Sequence, residues 1–554
     1  MKHSFLTLSG QPTVEGGPFI QLLSTPRFQF IVLLVLSAFL CTIKLDSGGI
    51  MGFDECFYAQ KAKEIVASGD WLTQRFAGKP DHLNPWLHMW TIAASFKLFG
   101  VSDWAARVPA SVETVLIVLL TYLLAQYVLK APFFAFLSAS MLLGNDFFYR
   151  FARKAHTDHL VTLCFLAAMI MYLLGTKRNR LWFLGMGVSI ALAMLTKSVL
   201  GLLPLAVIGA HILITRNWGI LRHPLFIGAV AIALALGSTW YLYEYAHFRG
   251  RFLQDHFGWQ VYSFSGLGKV SSGGVTLGGF LSHAMRNLYG FLRDAHVWLV
   301  LAVAGCVLLR PGRAPREGTV AMGRDTWSLL ALWFFLPTAV MSMAGQFKGW
   351  YLMPVFVPVA IFGAGFFYRL FPAAGRMWRV SAVALALLLA HFSILVVTPL
   401  FSLDVKHELR HPGIRKLATK VRMLDLEPGM KVVHFPATRE IAAQYGLQKG
   451  FFSYFSIAFP WLFYSDHPLF ERSKPASLEE ARRFMDEDGG VCLTTDEGFR
   501  VISEGGTLPY EMVARAQDKS MTYVVCCSRK NFLRWRERIA TDFSRPPLYD
   551  LRQY

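Results

Sequence analysis

Charge is scarce in this sequence. Only 16% of its 554 residues are Asp, Glu, Lys or Arg, whereas a soluble chain carries about 25%. The deficit sits in long apolar runs, which excludes an ordinary soluble enzyme and predicts a polytopic α-helical membrane protein. Acids are scarcer than bases, 36 against 55, but the excess follows the positive-inside rule rather than a nucleic-acid partner. With a cytoplasmic N-terminus, the cytoplasmic loops carry Lys130, then Lys177, Arg178 and Arg180, then Arg216 and Arg222, with Arg310 to Arg324 and Arg369 to Arg379 further on. No Walker pattern and no glycine-rich strand–helix turn is present, so no nucleotide-binding site is expected. The seven cysteines have no metal-ligand spacing. Cys41, Cys164 and Cys306 fall in apolar runs, where a thiol acts as a small hydrophobe. Cys492 can pair with Cys526 or Cys527 if the C-terminal part is in an oxidising compartment. There is no internal repeat and no cleavable leader, and the first apolar run reads as an uncleaved span.

Apolar stretches long enough to cross a bilayer begin near Phe28, Ala106, Pro132, His159, Leu181, Val199, Phe226, Ala295, Trp327, Tyr351 and Val380, about eleven spans. An odd number places the C-terminal part on the outer, periplasmic side. The expected organisation is a membrane domain over 1–400 and a soluble α/β domain over 401–554. Outer loops are expected at about 46–105 and 247–293, the second with a Gly/Ser-rich middle from Ser263 to Gly279. In the first loop, Asp54–Ala67 reads as a helix, and Pro85–Phe99 as an apolar segment too short to span. Beyond Leu400, helices are expected over Lys406–Leu424 and Ser477–Asp488, the latter opening on a capping box. Strands are expected over Lys431–Phe435, Val491–Thr495 and Tyr523–Ser528.

Chemistry gathers at the outer ends of the spans. Asp54 and Glu55 follow the first span closely, where a partly desolvated carboxylate can act as a general base or as an electrostatic stabiliser. A solvated loop pair is the plainer alternative. After the third apolar run come Arg150, Arg153, Lys154, His156, Asp158 and His159. These cations suit a lipid phosphate, or are basic side chains snorkelling at a helix end. Asp158 opens the next apolar run, an expensive place for an idle charge. Lys197, Lys348 and Tyr351 stand at two further outer turns, and one shared site explains the four clusters more economically than four anchors do.

These motifs, in this order, resemble the bacterial relatives of protein O-mannosyltransferases, including the aminoarabinose transferases that act on lipid A. The resemblance covers about Phe28 to Leu400. It rests on Asp54-Glu55 with Tyr58-Ala59, Gly69-Asp70-Trp71, Gly78-Lys79-Pro80, Phe99-Gly100, Arg107-Val108-Pro109, Ala152-Arg153 with Asp158, Thr196-Lys197, and Lys348 with Tyr351-Leu352 and Pro354. It implies a C-type glycosyltransferase (GT-C) fold in the bacterial inner membrane and a polyprenyl-phosphate sugar donor. It also implies inverting transfer on the periplasmic face, with no required cofactor or metal. Asp54 is then the leading catalytic carboxylate, Asp158 and Glu55 further acidic positions, and Arg153 with Arg150 and Lys154 a donor-phosphate patch. Lys197, Lys348 and Tyr351 fall near the donor's lipid phosphate, and Tyr58, Lys79, His82, His88 and His256 near the substrates. The family often has Glu-Lys-Pro-Pro where this chain has Leu83-Asn84-Pro85-Trp86, so that lysine's contact falls to His82, His88 or the Arg150–Lys154 patch. The expected acceptor is an envelope glycolipid, such as lipid A, or a polysaccharide. Alternatives are a protein O-glycosyltransferase acting on Ser/Thr, a flippase for a lipid-linked sugar, and a scaffold without catalysis.

Overall fold

The structure is a computed structural model describing residues 25–46, 49–50, 53–261, 277–311, 322–343, 348–370, 412–424, 432–435, 461–465, 478–487, 489–504, 509–517 and 522–542. The expected span near Val380 lies outside these residues, as does most of the Ser263–Gly279 stretch.

The first apolar helix, α1 (Pro26–Thr42), begins with proline inside its first turn, where the missing N–H is no loss. The loop that follows is largely ordered. It contains α2 (Phe53–Ser68), a hairpin of β1 (Arg75–Phe76) and β2 (Lys79–Pro80), and α3 (Leu87–Phe99). Ala77 and Gly78 turn the hairpin at φ 52° and 76°, the left-handed pair that suits a two-residue connection. The Glu64 carboxylate accepts both of their N–H groups, at 2.8 and 3.0 Å.

The bundle continues with α4 (Asp103–Leu129), α5 (Pro132–Leu143), α6 (Asp146–Ala152), α7 (Thr157–Lys177), α8 (Trp182–Lys197), α9 (Leu203–Thr215), α10 (Pro224–Gly237) and α11 (Thr239–Phe252). A π-helical turn over Leu253–Val261 follows, then α12 (Leu277–Leu308), α13 (Arg324–Ser342), a 3-10 turn over Gly349–Val355, and α14 (Phe356–Leu370). Among the described residues, five stretches are long and apolar enough to cross a membrane: Asp103–Leu129, Thr157–Lys177, Trp182–Thr215, Pro224–Gly258 and Gly349–Phe367. Trp182–Thr215 contains two expected spans, because the chain turns sharply between α8 and α9. Ser198 takes φ 54° there, and Gly201 lies so close to the Ala193 and Met194 backbone that no Cβ would fit. The apolar run from Pro132 is likewise broken at Gly144. Asn145 caps α6 by accepting the Phe148 N–H at 2.9 Å, which redirects the chain before Arg150. One large core joins these helices; the stacked rings of Phe165 and Trp333, 5.2 Å apart, lie within it.

The C-terminal part is an α/β unit. Its sheet has the order β3 (Val432–His434), β4 (Val491–Thr495), β6 (Thr522–Ser528), β5 (Tyr510–Gln517), with β3 parallel to β4 and the other pairs antiparallel. Side chains alternate between two buried faces. Val491, Leu493, Val525 and Cys527 pack with α15 (Pro412–Leu424), and Cys492, Val524 and Cys526 pack with α16 (Leu478–Glu487). The helices α17 (Asp496–Ser503) and α18 (Arg529–Asp542) complete the unit.

Candidate functional site

Asp54 and Glu55 occupy the first turn of α2, where the helix dipole favours negative charge. Asp54 is half-buried. Tyr58 lies one turn on, on the same side of the helix, and its ring is 9% exposed. Burial, then the charges of Asp54 and Asp158, hold the Tyr58 phenol well above its ordinary range. It therefore stays protonated beside two carboxylates and can donate a hydrogen bond.

Asp158 comes from a different element, the first turn of α7. It is 1% exposed and forms an ion pair with Lys197, the last residue of α8. His156 Nδ1 stands 3.8 Å from its other oxygen. The Lys197 ammonium lies 4.3 Å from the centre of the Tyr351 ring, a cation–π distance. Asp54 and Asp158 both lie within electrostatic reach of Tyr58 and Tyr351. The turn that presents Lys197 is fastened behind it, where Ser198 Oγ meets His256 Nε2 at 2.9 Å and the Tyr241 hydroxyl at 2.5 Å. His256, expected near the substrates, is buried and bonded to this turn.

Aromatic rings flank the carboxylates. Trp350 packs on Phe151 at 5.1 Å and meets the edge of His156 at 5.9 Å. Lys348 lies 5.8 Å from the Trp350 ring, and Lys154 lies 5.3 Å from that of Phe151. Tyr58 meets the buried His88 ring edge-on at 5.2 Å. Burial pushes the His88 imidazole down to about 3, so this ring is neutral at physiological pH. Two carboxylates, a protonated phenol, a half-buried ammonium and flat ring faces can together orient a sugar, accept a proton and oppose a phosphate charge.

The remaining residues singled out from the sequence are placed differently. Glu55 is 3% exposed and bound by Arg107 through Nε at 2.7 Å and Nη2 at 3.0 Å, and it accepts the Ala155 N–H at 3.1 Å. Burial opposes its charge, but the Arg107 guanidinium outweighs this and holds the carboxyl below its usual range. Arg153 turns inward from the Arg150–Lys154 stretch and donates to the Leu40 and Lys44 carbonyls at 2.8 and 2.9 Å. Those bonds tie α6 to the end of α1. Arg150 and Lys79 are exposed. His82 is buried against Glu244 of α11 at 2.7 Å, beside the buried ion pair of Lys61 with Asp81. Sequence reasoning passed over Trp350, Glu244 and Lys61 as participants. Glu244 did leave a signal, as a lone acid in TWYLYEYAHF. No group of three or more His, Cys, Asp or Glu able to hold a metal occurs among the described residues.

Residues 83–243 match the family described as dolichyl-phosphate-mannose-protein mannosyltransferase. An undecaprenyl phosphate-alpha-4-amino-4-deoxy-L-arabinose arabinosyl transferase of Pseudomonas fluorescens is 26% identical over 371 residues, 64% of this chain; the chain spans 59% of that relative's length. One from Aeromonas hydrophila is 24% identical over 480 residues, 85% of this chain and 83% of the relative. Among solved structures, ArnT from Cupriavidus metallidurans bound to undecaprenyl phosphate is similar with a TM-score of 0.61. The likeness covers 90% of this chain and 97% of that one at 17% identity, which establishes a shared fold.

Proposed function

We propose that this chain, a relative of the bacterial aminoarabinose transferases with their C-type glycosyltransferase fold, moves a sugar from a polyprenyl-phosphate carrier to an envelope acceptor. The observation that carries this reading is the junction of Asp54, Tyr58, Asp158, Lys197 and Tyr351, drawn from four separate elements. The donor is undecaprenyl-linked, and 4-amino-4-deoxy-L-arabinose is its first candidate sugar, after the names of the relatives. A glycolipid such as lipid A is the first candidate acceptor. A protein hydroxyl is the second, because the family matched over 83–243 is described by transfer to protein. The expected arrangement of about eleven spans with the C-terminal unit and site in the periplasm suits both acceptors.

The step is a single displacement. An acceptor oxygen forms a bond to the anomeric carbon as that carbon's bond to the phosphate oxygen breaks. The bonding pair leaves with the phosphate, and Asp54 takes the acceptor's proton. Tyr58, protonated, donates toward the reacting oxygens. Asp158 holds Lys197 so that its ammonium opposes the charge growing on the phosphate, and Lys348 supports it from beside Trp350. Arg153 is committed to Leu40 and Lys44, and in this scheme it supports the fold instead of the phosphate.

Lipids, lipid-linked sugars and envelope proteins from wild-type and Asp54→Asn strains, compared by mass spectrometry, test the proposal. One sugar should vanish from one acceptor while its polyprenyl-phosphate form accumulates. Unchanged pools, with the variant present and folded, would overturn transfer through Asp54.

A further inference from the structure

The C-terminal α/β unit touches the membrane part at one revealing place. Tyr464, in the helical turn over 461–465, receives the Ile50 N–H on its hydroxyl at 2.6 Å and donates to Asp103 at 2.8 Å. Arg415 of α15 pairs with the other Asp103 oxygen at 2.6 Å and lies across the Tyr464 ring. Arg107 in turn donates to the Gly49 and Leu45 carbonyls at 2.5 and 2.9 Å while binding Glu55. The short segment at Gly49 and Ile50 is thus held by both Tyr464 and Arg107, four residues before Asp54. Gly49 sits at φ 70°, and an added Cβ would fall 2.9 Å from Arg415 and 3.0 Å from the Tyr464 hydroxyl. One turn past Tyr58, Lys63 of α2 donates to the Phe463 carbonyl at 2.8 Å.

We infer that the C-terminal unit is a positioning device for Asp54, with Tyr464 and Arg415 fixing the Gly49–Ile50 segment that sets where α2 begins. The inference rests on the reading of Asp54 as the catalytic carboxylate. A cap that merely covered the outer loops would need none of these contacts at the leading end of α2. Tyr464, Asp103 and Arg107 are buried or half-buried and each serves at least two partners here, and such networks fix geometry closely.

The test uses the full chain in detergent with Tyr464→Phe and Arg415→Lys. Tyr464→Phe keeps the ring and removes one hydroxyl that serves two partners. Deuterium uptake in peptides covering 50–60 should rise about tenfold, the effect of losing one net hydrogen bond locally, with uptake in β4 and β6 unchanged. Turnover should fall about tenfold, with the Kd for undecaprenyl phosphate within about twofold of wild type. Arg415→Lys should retain more activity than Arg415→Ala. Unchanged uptake at 50–60, or raised uptake with unchanged turnover, would overturn the inference. So would a rise that extends to β4 and β6, since the change would then be loss of the unit itself. Absence of transfer by the wild-type chain would instead sink the proposed function, while the exchange data would still decide whether the contacts fix α2.

Discussion

Replacing Glu55 by Gln keeps the shape of a buried side chain and removes the charge that Arg107 faces. Arg107 is 4% exposed and would retain the Leu45 and Gly49 carbonyls and one amide oxygen, but lose its direct pairing with Glu55. Breaking a buried pair by removing one partner costs about 3–5 kcal/mol, because the remaining charge stays buried. The retained acceptors place this variant near 3 kcal/mol. The pH dependence follows from the lowered pKa. A carboxyl held below its unfolded value of about 4.3 stabilises the fold above that pH, and the benefit is lost as pH falls through the folded value. The gap between wild type and Glu55→Gln should therefore be full at neutral pH and close below about pH 4. Unfolding in detergent, followed by tryptophan fluorescence at several pH values, measures it. Turnover per folded molecule should fall far less than in Asp54→Asn. A variant as stable as wild type but inactive would refute the structural assignment and make Glu55 a reacting group.

Lys197→Met leaves Asp158 with a buried charge and removes the ammonium from the proposed phosphate position. Turnover should drop about 10²-fold or more, measured as transfer from an undecaprenyl-linked sugar; a loss under threefold would remove Lys197 from the mechanism. Gly201→Ala puts a methyl against the Ala193 and Met194 backbone. It should destabilise by about 1–3 kcal/mol and reduce transfer by displacing Lys197, both readable in one preparation by thermal unfolding and assay. Cys492 and Cys526 stand opposite each other in register on one face of the sheet, while Cys527 faces the other side. Treatment with a mild oxidant should join Cys492 to Cys526, and peptide mapping that found Cys492 joined to Cys527 would contradict this register.

The local signals read well. The helix expected over Asp54–Ala67 forms over Phe53–Ser68, and the strand expected at Val491–Thr495 has those bounds. β5 escaped because its sequence, YEMVARAQ, mixes alanine and charge, and an irregularity between Met512 and Ala514 breaks the period-two pattern. The break at Gly144 did carry a turn signal, Gly144-Asn145-Asp146, between the apolar stretches on either side. At the site, residue types were legible one by one while their partners were not. Asp158 and Lys197 were each singled out for being charged at the end of a span, but nothing in the sequence pairs residues 39 apart. The Arg150–Lys154 stretch reads as one cationic patch because five residues carry three positive charges. The helix geometry then sends Arg153 toward α1 and leaves Lys154 beside Phe151. Glu55 and Asp54 are neighbours in the chain, but helical rotation of about 100° per residue gives them different company.

The hairpin of the first loop is anchored to α11 by His82 on Glu244 and by Thr73 on Tyr243 at 2.7 Å, with Lys61 and Asp81 paired beneath it. Lifting it would strand several charges whose exposure or separation costs kilocalories apiece. That flank is a fixed wall, and it limits the routes by which substrates come and go. In the proposed transfer, the half-buried Trp350 and the exposed Lys348 are the less tightly held neighbours of the site. Whether donor and acceptor compete for that side is a kinetic question, open to measurement as ordered or competing binding.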